Sequence, residues 1–116
     1  MTPIPCVAVH AYLVERYLPG LAEADVRLAL RRAEAACAAL RASGTEIHYR
    51  GSIFLALEEA CFCRFDSERA EAVTEANQRA GLAFARVSPG VAIEPSSLNI
   101  TQLGEVSTTC QSDYQS

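Results

Sequence analysis

The stretch Glu71-Ala-Val-Thr-Glu75-Ala-Asn77-Gln-Arg79-Ala-Gly81-Leu-Ala-Phe84-Ala-Arg86-Val87 carries a helical pattern into a strand within a few residues. Its first half is built of helix-compatible residues with an acid at the front. Arg79 stands where a cation meets the negative end of the helix dipole, and Gly81 is suited to the left-handed turn that ends a helix. From Phe84 the pattern predicts a strand running to Ile93, which Pro89-Gly90 can bulge or split. At the front of the helix, Asp66 or Ser67 is the expected cap and Glu68 suits the positive first turn. Asn77 lies mid-helix, where asparagine is disfavoured, and is expected to bond the turn from Gly81 to Phe84.

Working outward, residues 45 to 57 and 60 to 65 are two apolar-rich runs across Glu58-Glu59, which predicts an antiparallel hairpin. Residues 21 to 43 are rich in Ala, Leu, Arg and Glu, with Val26, Leu30, Ala33, Cys37 and Leu40 on one helical face and Gly44 as the stop. Residues 8 to 17 form a first strand, closed by Pro19-Gly20. The order is βαββαβ, an α+β ferredoxin-like sandwich in which both helices cover one face of a four-stranded antiparallel sheet. The expected division is a domain over residues 1–95 and a polar tail over 96–116. The uncovered sheet face predicts association of two copies as a dimeric α+β barrel.

Strand alternation then sorts the side chains. In the second strand Ile47, Tyr49, Ile53 and Leu55 are expected to face the helices, leaving His48, Arg50, Ser52 and Phe54 on the open face unless Gly51 holds a bulge. Cys61, Cys63 and Phe65 go to the helix side of the third strand, as do Tyr12 and Val14 in the first. The open face thereby gathers Glu15, Tyr17, His48, Arg50, Phe54, Phe62, Arg64, Phe84 and Arg86. Such a mixture fits a partly enclosed polar and aromatic cavity between two subunits better than it fits a dry interface or a fully solvated face.

Composition narrows the partners. Ten arginines, no lysine and fourteen acids among 116 residues give a net charge of −4 without a basic stripe, so nucleic acid is not expected. No apolar run approaches the roughly 18 residues of a membrane span. No cationic segment precedes the first apolar residues as in a signal peptide, which predicts a cytoplasmic protein. Five cysteines without a regular framework are expected to be reduced. Cys61-x-Cys63 lacks the spacing and the second ligand pair of a structural zinc site, and predicts buried core thiols. Asn99-Ile-Thr101 matches a glycosylation acceptor only by pattern.

Three readings of the cavity remain. His48, with Glu15 or Glu46 and with His10 as a second imidazole, offers donors for nickel or another transition metal, pooled across a dimer. Glu15 and His48 could instead act as an acid and base, with Tyr17, Arg50, Phe62, Arg64, Phe84 and Arg86 holding a small organic substrate, as in cofactor-independent isomerases and cyclases. The third is an interaction module without a ligand. The plainest role for Glu15 is an ion pair with one of the arginines.

The segments Ala11-Tyr-Leu-Val-Glu-Arg-Tyr-Leu-Pro-Gly20, Tyr49-Arg-Gly-Ser52, Cys63-Arg-Phe65 and Glu75 to Val87 resemble a bacterial family of small ferredoxin-like proteins of unknown function that includes nickel-binding relatives. The resemblance spans roughly residues 8 to 94. It implies the fold and a homodimer, and transfers no activity residue by residue. Where relatives have a proline after the Gly-Leu step this chain has Ala83, and where some carry a histidine in the second helix it has Ala76.

Overall fold

The structure is a computed structural model and describes residues 8–98. The chain runs β1 (His10–Tyr17), α1 (Glu23–Ala42), β2 (Ile47–Leu55), β3 (Ala60–Ser67), α2 (Ala70–Arg79) and β4 (Arg86–Gly90), followed by a short 3-10 turn over Pro95–Leu98. The strands form one antiparallel sheet in the order β2-β3-β1-β4, with the two helices packed on one face. The expected fold class is therefore the observed one. The polar tail beyond Leu98, with Asn99 and Cys110, lies outside the described residues, as does Cys6.

Each helix is stopped by the same device. Gly81, at φ +71°, donates to the Gln78 carbonyl while Leu82 donates to that of Asn77, and Gly44 and Thr45 close α1 onto Arg41 and Leu40 in the same way. These paired bonds satisfy carbonyls that the helix leaves without partners, and they aim the chain back toward the sheet. Val26, Ala29, Ala33, Ala36, Cys37 and Leu40 of α1, together with Ala72, Val73 and Ala76 of α2, bury the helical stripes against Tyr12, Val14, Ile47, Cys61, Cys63 and Phe65. Small residues dominate both helix faces, which lets the layers approach closely.

Four local expectations are corrected. First, the register slips between Tyr49 and Gly51, so Arg50 is an extra residue in β2 and Gly51 sits at φ +127°. Two residues opposing one reverses the alternation beyond that point. Ser52 and Phe54 thus face the helices, and Ile53 and Leu55 emerge on the open face. Second, β4 starts only at Arg86, and Phe84 precedes it and packs against the core instead of standing on the open face. Third, Asp66 and Ser67 remain in β3, and Arg69 occupies the N-cap position of α2 without a side-chain capping bond. Fourth, the Asn77 side chain does not bond the following turn. Its amide donates to the Val73 carbonyl, and its oxygen faces Arg16.

Candidate functional site

Three groups of polar side chains are fixed by the sheet. On the open face, Glu15 of β1 stands opposite Arg86 of β4, and its carboxylate accepts from the Tyr17 hydroxyl at 2.6 Å and from Arg86 at 3.1 Å. The Tyr17 hydrogen bond, helped by the Arg86 charge, holds the Glu15 carboxyl below its ordinary range, and the same bond pushes the Tyr17 phenol up. Toward the other end of the face, Asp66 accepts from Arg50 at 2.9 Å and from Arg64 at 3.3 Å, and Arg64 also reaches Glu94 at 3.2 Å. Arg50, the extra residue of the bulge, makes the closer of these two contacts. His48 is in register with Asp66, and its Nε2 lies 2.6 Å from Glu46 Oε2. His10 shares a cleft of about 340 Å³ with Arg64 and Asp66 at the start of β1.

The structure does not bring Glu15 and His48 together. They stand two strands apart and four rows apart, about 10 Å across the sheet and about 13 Å along it. Arg50, Phe62, Arg64 and Arg86 do share the open face with them, as does Tyr17. The exposed apolar side chains of this face cluster around the Glu15 row: Ile53, 66% exposed, is in that row with Phe62, Tyr17 and Leu55, 56% and 39% exposed, lie two residues beyond it, and Leu13, 46% exposed, lies two residues toward Asp66. No group of three histidine, cysteine or acidic side chains that could hold a metal occurs among the described residues.

The third group lies under the sheet and was not legible as a site. Arg16 has no exposed surface. Its Nη1 donates to the Ala83 carbonyl at 3.1 Å, and its Nη2 donates to Asn77 Oδ1 and, at 3.7 Å, to Cys63 Sγ. Cys63 also accepts from the Ser52 hydroxyl at 2.8 Å and lies 3.8 Å from Cys61 Sγ. Ser52 in turn is bonded to the Tyr49 hydroxyl. Tyr49, Ser52 and Phe54 form one wall of a cleft of about 530 Å³ against α1, whose other wall carries Val26, Leu30, Arg27 and Arg31. The available signal was strand parity: Arg16 shares the inward parity of Tyr12 and Val14, and a buried arginine explains why an asparagine is kept in mid-helix at position 77. Ala83, in the turn before β4, presents the carbonyl that Arg16 holds.

No helix among the described residues is long and apolar enough to cross a membrane. None of the proteins of curated function matches the chain. In fold, it is similar to the crystal structure of SCO4226 from Streptomyces coelicolor A3(2), with a TM-score of 0.59 and 15% identity over 72% of this chain and 99% of that one. A family model, described as nickel responsive protein SCO4226-like, matches residues 12–89, from the inward tyrosine of β1 to the end of β4. This chain therefore belongs to the SCO4226-like family of nickel responsive proteins.

Proposed function

We propose that the protein is a transition-metal-binding homodimer, with nickel as the first candidate, closed over the open face of its sheet. The observation that carries the reading is the group of exposed apolar residues Leu13, Tyr17, Ile53 and Leu55 on the face that no helix among the described residues covers. A contiguous patch of this kind is an interaction surface more often than a solvated one. The Glu15–Arg86 pair beside these residues and the Asp66 group farther along the face suit polar contacts that fix the register of a second copy.

The family description supports the choice of metal. On the protein side, the donors are the half-buried His48 imidazole and the Glu46 carboxylate, already 2.6 Å apart, with His10 beyond Asp66. Imidazole and carboxylate are donor types that nickel accepts, but the described residues of one chain supply too few for a closed site. The donors fit an incomplete half-site, which a second copy or solvent completes. Nickel would bind the neutral imidazole and the ionised carboxylate, so its binding should weaken as pH falls.

The acid and base reading of Glu15 and His48 is less well served. A carboxylate held below its ordinary range is a weak base, and the two groups are a sheet's half-width apart. Titration of nickel into untagged protein, followed by calorimetry, tests the proposal. His48→Ala should lower nickel affinity by at least about tenfold while leaving the dimer intact. Unchanged nickel affinity in His48→Ala would remove this site.

A further inference from the structure

A buried guanidinium needs a counter-charge, because removing it from water costs several kcal/mol. Among the described residues no carboxylate forms an ion pair with Arg16. Its partners are two neutral oxygens and the sulfur of Cys63, and its Nε has no partner among the described residues. Of these groups only the sulfur can carry a full negative charge. Two donors converge on that sulfur, Arg16 at 3.7 Å and the Ser52 hydroxyl at 2.8 Å, and the Cys61 sulfur lies 3.8 Å from it. The contact with Cys61 is the largest influence holding the Cys63 thiol down, to about 6, and that contact together with burial pushes Cys61 up. Cys37, equally buried but without such a partner, is pushed up to about 11 by burial.

The route to the sulfur is short. Ser52 and Tyr49 are bonded to each other and line the α1–β2 cleft, so Cys63 lies one hydroxyl away from it. The visitor is not a metal ion, because the neighbouring guanidinium repels cations. A small neutral oxidant that can hydrogen-bond to hydroxyls fits the route.

We propose that Cys63 is an oxidisable thiolate reached by a hydroperoxide through this cleft, with Cys61 as the resolving thiol. The thiolate attacks one peroxide oxygen, the O–O bond breaks, and the sulfur loses two electrons to give a sulfenic acid while an alkoxide or hydroxide leaves and takes a proton from water. The Cys61 sulfur then attacks Cys63, the S–O bond breaks, and water departs with the Cys61 proton. One hydroperoxide is reduced, and two thiols become one disulfide. Alternate residues of a strand are about 6.6 Å apart at Cα, near the upper end of the range that a disulfide spans, and both side chains point the same way.

The test is peptide mapping of the intact chain after exposure to hydrogen peroxide at about pH 6.5 without reductant, in folded and in urea-unfolded protein. Cys61 and Cys63 should lose two hydrogens together, at least about tenfold faster than Cys37 is oxidised, and faster in the folded than in the unfolded chain. In Cys61→Ser, dimedone should trap a sulfenic acid on Cys63. A Cys63 that stays reduced until the chain unfolds, or reacts no faster than Cys37, overturns the proposal. The wild-type comparison of folded with unfolded protein decides the matter even where the variant fails to fold.

Discussion

Arg16 ties three elements together, reaching α2 through Asn77, β3 through Cys63 and the turn before β4 through Ala83. Because the group is fully buried, removing one partner exposes nothing to water and leaves a donor unmet. Asn77→Ala is therefore expected to cost about 2–3 kcal/mol in urea denaturation, well above the effect of a surface asparagine. The shared proton of the two thiols also makes stability depend on pH. Cys63 is held at about 6 in the fold against an ordinary 9.0, so its contribution is present above 9 and is lost as pH falls through about 6. Cys61 and Cys37 are shifted up, so their contribution is present below 9 and is lost at higher pH. The midpoint of thermal unfolding should climb between about pH 6 and about pH 9, and Cys63→Ser should flatten that climb. An equal slope in both proteins would assign the sulfur a neutral thiol.

At the scale of elements, β1, α1, β3 and α2 could be read from the chain because each keeps one period throughout. In β3 the inward parity of Cys61, Cys63 and Phe65 is unbroken. β2 could not be read with the same rule, since a single extra residue at Arg50 exchanges its faces halfway along. Glycine at 51 was the visible sign, but whether a glycine in a strand marks a bulge depends on what the neighbouring strand pairs with. The same bulge turns Ser52 under the sheet, where its hydroxyl meets Cys63. A Cβ at Gly51 would meet no atom within 4 Å, so substitution there is resisted by backbone conformation alone. Gly51→Ala should cost about 1–3 kcal/mol in denaturant unfolding, and a neutral outcome would mean the bulge is not held at φ +127°. Phe84 was misplaced for a different reason: β4 begins two residues later than its composition suggests, because Leu82 and Phe84 serve the core.

At the scale of the molecule, the order of elements was legible and the open face was legible as a face, but the chain alone does not say which side chains meet on it. Glu15 and His48 looked like one site because parity gives a side of the sheet and not a distance along it. What the whole molecule presents is a sheet with one covered side and, on the other, an apolar centre around Ile53 and Leu13 with the Glu15–Arg86 pair set in it and Asp66 with its two arginines at one end. If a second copy covers that centre, a charge placed there is buried without a partner. Ile53→Glu should then weaken association by at least about a hundredfold in sedimentation while leaving the fold intact. Native mass spectrometry of untagged protein equilibrated with nickel addresses face and metal together. The account predicts a dimer that carries nickel and loses it on His48→Ala without losing the dimer. A metal-free monomer at micromolar concentration would contradict it.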